Sequence, residues 1–348
     1  MRLLRDKWQV ITMPVLLVLF LITGVLSLGT GAVEFNAGEV VRAVIAGLNG
    51  QMRGLEITPR ETIIFYIRLP RVILAAMTGA ALAASGAVYQ GIFRNPMADP
   101  YVMGTSAGAS LGATCAFMLP INIRFLSLGS VPLLAFAGSL VAVMLVYGLA
   151  KVGDRTPVLN LLLSGMIVSS ILSAIVSLMM FVMPTGVLHG LAFWLMGGFS
   201  GRGWSNVAMI TPYFILGLSI VLVFSRDLNA LLLGDEPAMH LGIEVSKVTK
   251  ALIVAASLLT ACAVSSGGII GFVGLVIPHV LRMCLGPDNR RLVPASLIFG
   301  ATVMMAADAV ARIVIAPQEL PVGIITALCG GPFFVYLLRQ YKTDSYQL

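Results

Sequence analysis

The chain has 348 residues, of which 58% are hydrophobic and 11% are charged, and its net charge is +7. A soluble domain carries roughly a quarter charged residues, so the composition excludes an ordinary soluble enzyme and indicates an integral membrane protein. We attribute the basic balance to positively charged cytoplasmic ends of membrane spans and not to nucleic-acid binding.

Apolar runs long enough to cross a bilayer, at about 20 residues each, predict ten spans. They cover residues 11–28, 72–93, 101–119, 131–150, 158–183, 207–224, 248–264, 269–285, 293–315 and 321–338. Because each run is continuously apolar and does not alternate, α-helices satisfy the backbone better than barrel strands. The prediction is one all-α membrane domain, residues 1–348, with an uncleaved first span and a cytoplasmic N-terminus.

Motifs for nucleotide hydrolysis and for membrane hydrolases are missing from the sequence. It has no G-x-x-x-x-G-K-[ST] loop, no G-x-S-x-G elbow and no H-E-x-x-H helix. The four cysteines and three histidines are scattered, so we predict no catalytic residue and no metal site. Transport would then be powered by another subunit or by an ion gradient, for which Asp308 is the strong candidate carboxylate within a span.

Arginines gather near one end of the predicted bundle. Arg68 and Arg71 lie in IRLPR at the start of the second span, and Arg312 follows Asp308 by one helical turn. Asp308 and Arg312 are predicted to pair within their helix. The pair is either purely structural or part of a landing site for acidic groups of an extracytoplasmic partner, with Glu319 the nearby acid.

A polar island separates the second and third spans. The second span ends at Arg94, and the Asn95-Pro96 and Asp99-Pro100 steps force a turn before a helix with a face of small residues. That face comprises Gly104, Ala107, Gly108, Ala109 and Gly112. The turn is interpreted as a tight structural hairpin, with a surface for a cytoplasmic partner as the alternative.

A second island, residues 226–247, is too polar to span and too patterned for a plain linker. One short helix, capped by Asp227, is predicted to run to Leu233, and another to run from Asp235 to Leu241. Two such helices fit a groove on a partner protein; helices lying flat in the headgroup layer are the alternative.

Six segments in this order resemble the FecCD permease family, the membrane subunits of type II ABC importers. They are IRLPR, YQGIFRNPMADPYVMGTSAGA, HLGIEV, GGIIGFVGLVIPHVLR, DAVAR and LPVGIITALCGGPFF. The likeness runs from about residue 60 to the C-terminus. Against it stand a gradient-driven secondary carrier that works alone and, less favoured, a membrane enzyme.

The resemblance implies the type II importer permease fold, with ten spans per subunit in the inner membrane and both termini in the cytoplasm. It implies a second copy of the chain, two ATPase subunits that hold ATP and magnesium, and an extracytoplasmic binding protein, with lipid around them. No cofactor is expected in this chain. The cargo class would be a ferric siderophore, haem or cobalamin, and the sequence does not separate these from each other or from an oxyanion.

The resemblance also implies site residues. Arg68, Arg71 and Arg312 match arginines that receive glutamates of the binding protein, so reversing all three charges is expected to weaken docking without unfolding. The coupling contact with the ATPase would be made by Ala238, His240, Leu241 and Gly242. The fifth span, the AFWLMGGFSG segment and the start of the tenth span match the pathway lining. The residues named as candidates for it are Met180, Met183, Phe193, Trp194 and Met196.

Overall fold

The computed structural model describes residues 2–31, 33–49, 58–119, 129–153 and 156–345, which fold into fourteen helices without a sheet. Helices α1 to α7 are Arg2–Gly29, Ala37–Leu48, Pro59–Ile92, Thr105–Met118, Ser130–Ala150, Val158–Val182 and Thr185–Leu195. Helices α8 to α14 are Trp204–Val223, Ser225–Leu231, Asp235–His240, Val245–Gly267, Val273–Leu285, Asn289–Ile313 and Val322–Ser345. The predicted all-helical membrane fold is confirmed.

Seven helices in the described part of the chain are long and apolar enough to cross a membrane. They coincide with seven of the ten predicted spans. The other three predicted spans correspond to the short helices α4 and α12 and to α14, of which the apolar part is Val322–Tyr336. Helix α12 has 13 residues, or about 20 Å at 1.5 Å per residue, so it does not cross the bilayer by itself. Helix α7 was not predicted as a separate helix, although Pro184 precedes it and Gly197 with φ 73° follows it, which are both ordinary boundary signals.

Helix α3 is the central element of the bundle. It packs against α13, α11 and α12, and 83% of its most apolar window is buried, compared with 17% for α1 and for α6. Small residues make this burial possible, because helices in a membrane approach closely only where side chains are small. After one α-helical turn, α3 is π-helical over Ile63–Arg68, a local widening that is frequent at functional sites.

Two backbone contacts fix the position of α3. A Cβ atom added to Gly79 would lie 2.1 Å from the carbonyl oxygen of Gly300 in α13, and one added to Gly86 would lie 1.8 Å from that of Gly274 in α12. Pro278 explains the second contact: it has no N–H to donate to the Gly274 carbonyl one turn earlier, and that oxygen points at Gly86 instead. Larger side chains at these sites would separate α3 from its neighbours.

The small-residue face predicted in the third span lies against α5. A Cβ added to Gly108 would lie 2.3 Å from the carbonyl oxygen of Gly138, and one added to Gly112 would lie 2.0 Å from that of Leu134. Before α4 the chain makes the predicted turn, where the half-buried Asp99 carboxylate accepts the Tyr101 N–H at 2.7 Å. Burial raises the pKa of Asp99, and the hydrogen bond from the Tyr101 backbone partly opposes this rise. The small-residue face of α4 therefore allows α4 and α5 to pack closely.

Candidate functional site

The bundle has two ends that carry polar residues. We call the end with Arg68, Arg71 and Arg312 the arginine end, and the end with residues 226–247 the loop end. Helices α3 and α13 run antiparallel between them, so each contributes residues to both.

An ion network joins α3 to α13 at the arginine end. The fully buried Asp308 carboxylate accepts from Arg71 Nε at 3.0 Å and from Arg71 Nη2 at 2.9 Å. Arg312 Nε lies 3.2 Å from Asp308 Oδ2, across the i, i+4 spacing. A buried carboxylate is costly unless it is paired and hydrogen-bonded, and two guanidinium groups meet this need. Asp308 is therefore held as the counter-ion of Arg71 and Arg312.

Glu319 occupies the remaining side of Arg71. Arg71 Nη1 donates to both carboxylate oxygens of Glu319, at 2.8 and 2.9 Å. Burial alone would raise the pKa of Glu319, but the hydrogen bonds and charge of Arg71, with smaller contributions from Ser200 and Arg312, hold that pKa below its usual value. The Glu319 side chain is 36% exposed, whereas that of Asp308 is 0% exposed. Solvent and partners can thus reach Glu319 but not Asp308.

The other two guanidinium groups bind the end of helix α1. Arg312 donates to the carbonyl oxygens of Ser27 and Thr30 at 2.7 and 2.8 Å. Arg68 donates to those of Leu28 and Gly29 at 2.8 and 3.0 Å. The last carbonyls of a helix have no partner within it, and cations are favourable at its negative end. Arg68 and Arg312 therefore cap α1.

The acceptors on α1 could not be identified from the sequence, because the first span has no motif that points to the arginines. Arg68 also lies over the Phe35 ring, 4.5 Å from its centroid, and Arg60 lies 4.9 Å from the same centroid. All three arginines predicted to dock a partner are at least 92% buried. Their docking role stays a prediction, and in this conformation their donors already have internal acceptors.

The predicted coupling residues of the loop end lie in α10 and in the two residues that follow it. In α10 Ala238 is fully buried, whereas Met239 is 48% and Leu241 is 64% exposed. His240 is also exposed. Gly242 follows the helix at φ 82°, a left-handed conformation that glycine adopts without strain. Ala238 thus anchors α10 while its neighbours form a projecting apolar surface.

The predicted boundaries of α9 need correction. Asp227 does not cap the helix, because α9 begins two residues earlier at Ser225, and Leu228 N donates to Phe224 O at 2.9 Å. The chain turns directly from α8 into α9, which the sequence pattern does not reveal. Asp227 lies in the first turn, and the helix ends at Leu231 instead of Leu233.

Arg94 and Asn229 hold the loop end in place through contacts that the sequence did not predict. Arg94 Nε donates to Leu231 O at 2.8 Å, and its guanidinium forms an ion pair with Asp235. Asn229 Nδ2 donates to Asp288 Oδ1 at 2.7 Å. These contacts join residues 59 or more positions apart, so local pattern carries no signal for them.

The five pathway candidates divide into two groups. Met183 and Trp194 are buried in a cluster with Leu191 and Val264, against which Met180 packs. The other two candidates, Phe193 and Met196, are 51% and 44% exposed. The pathway assignment stays a prediction, and exposure favours it for Phe193 and Met196 over the packed residues.

Comparisons with known proteins identify the family to which the chain belongs. The FecCD transport family model matches residues 18–340. The cobalamin import system permease protein BtuC of Halobacterium salinarum is 46% identical over 286 residues, 82% of this chain and 75% of that protein. The hemin transport system permease protein HmuU of Yersinia pestis is 39% identical, covering 80% of this chain and 84% of its own.

Two further comparisons cover nearly the whole chain. The molybdate import system permease protein MolB of Haemophilus influenzae is 36% identical over 94% of this chain and 95% of its own. A solved metal-chelate-type ABC transporter in an inward-facing conformation superposes with a TM-score of 0.81 at 34% identity, covering 95% of this chain and 99% of that one. This chain is therefore a member of the FecCD transport family and a multi-pass membrane permease subunit.

Proposed function

We propose that the chain is the permease subunit of an ATP-driven importer that moves a metal chelate from a binding protein into the cytoplasm by alternating access. Two copies would form the pathway, two ATPase subunits would bind ATP and magnesium at the loop end, and the binding protein would dock at the arginine end. The permease itself carries out no chemical reaction. In this scheme it lies in the inner membrane with both termini in the cytoplasm.

The exposed apolar surface of α10 carries this proposal. Met239 and Leu241 project from a polar loop end on a helix that buried Ala238 anchors. Short helices of this kind suit a hydrophobic groove on a partner. An ATPase subunit is the partner that the transport family favours, because the sequence lacks a nucleotide-binding loop of its own.

The cargo is proposed only as a class. Relatives are named for cobalamin, hemin, molybdate and ferric citrate, which are unlike one another in shape and charge. One permease scaffold thus serves several cargoes, as expected if the binding protein selects them. We favour a metal chelate, with an iron chelate as the first to test.

The gradient-driven carrier is less favoured. That function needs an ionisable group that exchanges its coupling ion in mid-transport, and Asp308 was its candidate. The Asp308 carboxylate is fully buried between Arg71 and Arg312, so it has its counter-charges already and is poorly placed to bind and release a cation.

Co-purification from the native membrane tests the proposal. A tagged chain should bring down an ATPase and an extracytoplasmic binding protein, and the complex in liposomes should accumulate chelate only with ATP and loaded binding protein. Transport by the chain alone under an ion gradient, with no dependence on ATP, would instead establish the secondary carrier.

A single substitution tests the coupling surface. Leu241→Glu should reduce ATPase-dependent uptake strongly, because a carboxylate would have to be buried in the partner's groove. Lys250→Gln, which lowers the charge by the same one unit at an exposed position on α11, is the matched control and should retain most uptake. Equal uptake by both variants would remove α10 from the ATPase contact.

A further inference from the structure

Helix α9 lies between the ends of α3 and α13. Its fully buried Leu228 packs over Gly91, where an added Cβ would lie 2.6 Å from the leucine Cδ1. On its other side the helix contacts the first residues of α13. A seven-residue helix is thus held by both long helices that reach the arginine end.

Asn229 makes the contact with α13. Its Nδ2 donates to Asp288 Oδ1 at 2.7 Å, and its Oδ1 accepts from the backbone N and from Nδ2 of Asn289, at 2.8 and 2.9 Å. Asp288 also caps α13, since the same Oδ1 accepts the Arg290 N–H at 3.0 Å. One carboxamide therefore uses donor and acceptor together to fix α9 to the start of α13.

Arg94 makes the contact with α3. It stands just beyond the last turn of α3 with φ 49°, a conformation that non-glycine residues adopt rarely and that surrounding contacts must hold. Its Nε donates to Leu231 O, a carbonyl at the end of α9, at 2.8 Å. Its guanidinium also pairs with Asp235, the first residue of α10. Arg94 thus joins α3 to both short helices.

Helices α3 and α13 are also joined to each other along their length. Gly79 and Gly300 place the two backbones in contact, and Arg71 and Asp308 bind them at the arginine end. From Arg71 to Arg94 the helix rises about 35 Å. Because α3 and α13 are packed together, they should move together when α10 is displaced. The displacement would then reach the arginine end.

We propose that Arg94 and Asn229 are positioning residues of the coupling step, which make α9 the rigid connection between α10 and the α3–α13 pair. This inference rests on the proposed function, because it assumes that a partner ATPase moves α10. Neither residue contacts cargo or nucleotide. Their loss should leave ATP hydrolysis in place and disconnect it from events at the arginine end.

The test uses the full complex in liposomes, with Arg94→Ala and Asn229→Ala in separate preparations. Each variant should hydrolyse ATP at a rate near that of the wild type while cargo imported per ATP falls at least about fivefold, the lower range of coupling between sites. The influence of ATP on binding-protein affinity should fall in parallel. Lys250→Ala, which removes one positive charge from an exposed site on α11, should keep the wild-type ratio.

Asp235→Asn provides a second variant in case Arg94→Ala does not assemble. Asp235 is 66% exposed, so its neutralisation should not disturb folding, and the import-to-hydrolysis ratio should fall about twofold, as expected for an exposed ion pair. Unchanged ratios in assembled Asn229→Ala and Asp235→Asn complexes would overturn the inference. Absence of ATP-dependent import by the wild-type complex would overturn the proposed function instead.

Discussion

Replacement of Glu319 by glutamine is expected to strengthen docking of the binding protein. Glu319 holds Arg71 from its accessible side, with both oxygens within 2.9 Å of Arg71 Nη1. Three arginines and the two acids Asp308 and Glu319 give the cluster a formal charge of +1, and Glu319→Gln raises it to +2. The substitution therefore removes an internal competitor for any incoming carboxylate.

The size of the effect follows from exposure. The Glu319 side chain is 36% exposed, so repulsion of an incoming carboxylate is partly screened and amounts to about 1 kcal/mol. That corresponds to a gain of about fivefold in affinity. The gain should be clear at low salt. It should shrink at about 0.5 M salt, where the Debye length is shorter than its value of about 8 Å at physiological ionic strength.

The assay is binding of the purified binding protein to permease complexes in nanodiscs, measured at both salt concentrations. Glu39→Gln is the matched control, since it removes one negative charge from a residue that pairs with Arg60 and not with the arginine cluster. Affinity in Glu319→Gln that equals or falls below that of the wild type would refute the reasoning. An equal gain in both variants would show a general charge effect.

Three further results are expected. Asp308→Asn should destabilise the fold by about 3–5 kcal/mol in thermal unfolding, because it removes the buried carboxylate that pairs with both Arg71 and Arg312 and leaves Glu319 as the acid beside Arg71; a melting temperature within one or two degrees of the wild type would contradict this. Gly86→Ala should cost about 1–3 kcal/mol by forcing a methyl group against the Gly274 carbonyl, whereas Gly148→Ala, with nothing within 4 Å, should be neutral or slightly stabilising. Because the pKa of Glu319 is lowered from 4.5, the stability from its contact should be complete above pH 4.5 and lost as the pH falls through the lower folded value. The stability difference between wild type and Glu319→Gln should therefore stay constant from pH 6 to 8.

Local properties of the sequence were sufficient to predict the helices but not the contacts between them. Continuous apolarity predicts the long spans because a bilayer leaves the backbone few alternatives. It does not show that the eighth predicted span is a helix of only 13 residues that begins where Gly274 meets Gly86, since apolar residues fill long and short helices alike. The ends of the chain's helices follow from tertiary packing that a single sequence does not display.

At the arginine end, too, the sequence predicts the contact within one helix but not the contacts between distant helices. The i, i+4 spacing of Asp308 and Arg312 is a local signal, and it predicts their contact. The bond from Arg71 to Asp308 joins residues 237 positions apart, and the carbonyls of α1 that Arg312 binds lie more than 280 positions away. Main-chain acceptors have no residue type, so no composition or motif marks α1 as the partner of these arginines.

This geometry changes what a charge-reversal experiment measures. Reversing Arg68, Arg71 and Arg312 together would place buried carboxylates against the carbonyl oxygens at the end of α1 and against Asp308. Each buried like-charge contact is costly, so the triple variant should lose its fold, contrary to the expectation from sequence. A loss of docking in that variant would then say nothing about the binding protein. Only a change at the accessible Glu319, which leaves every guanidinium and every cap on α1 intact, separates docking from stability.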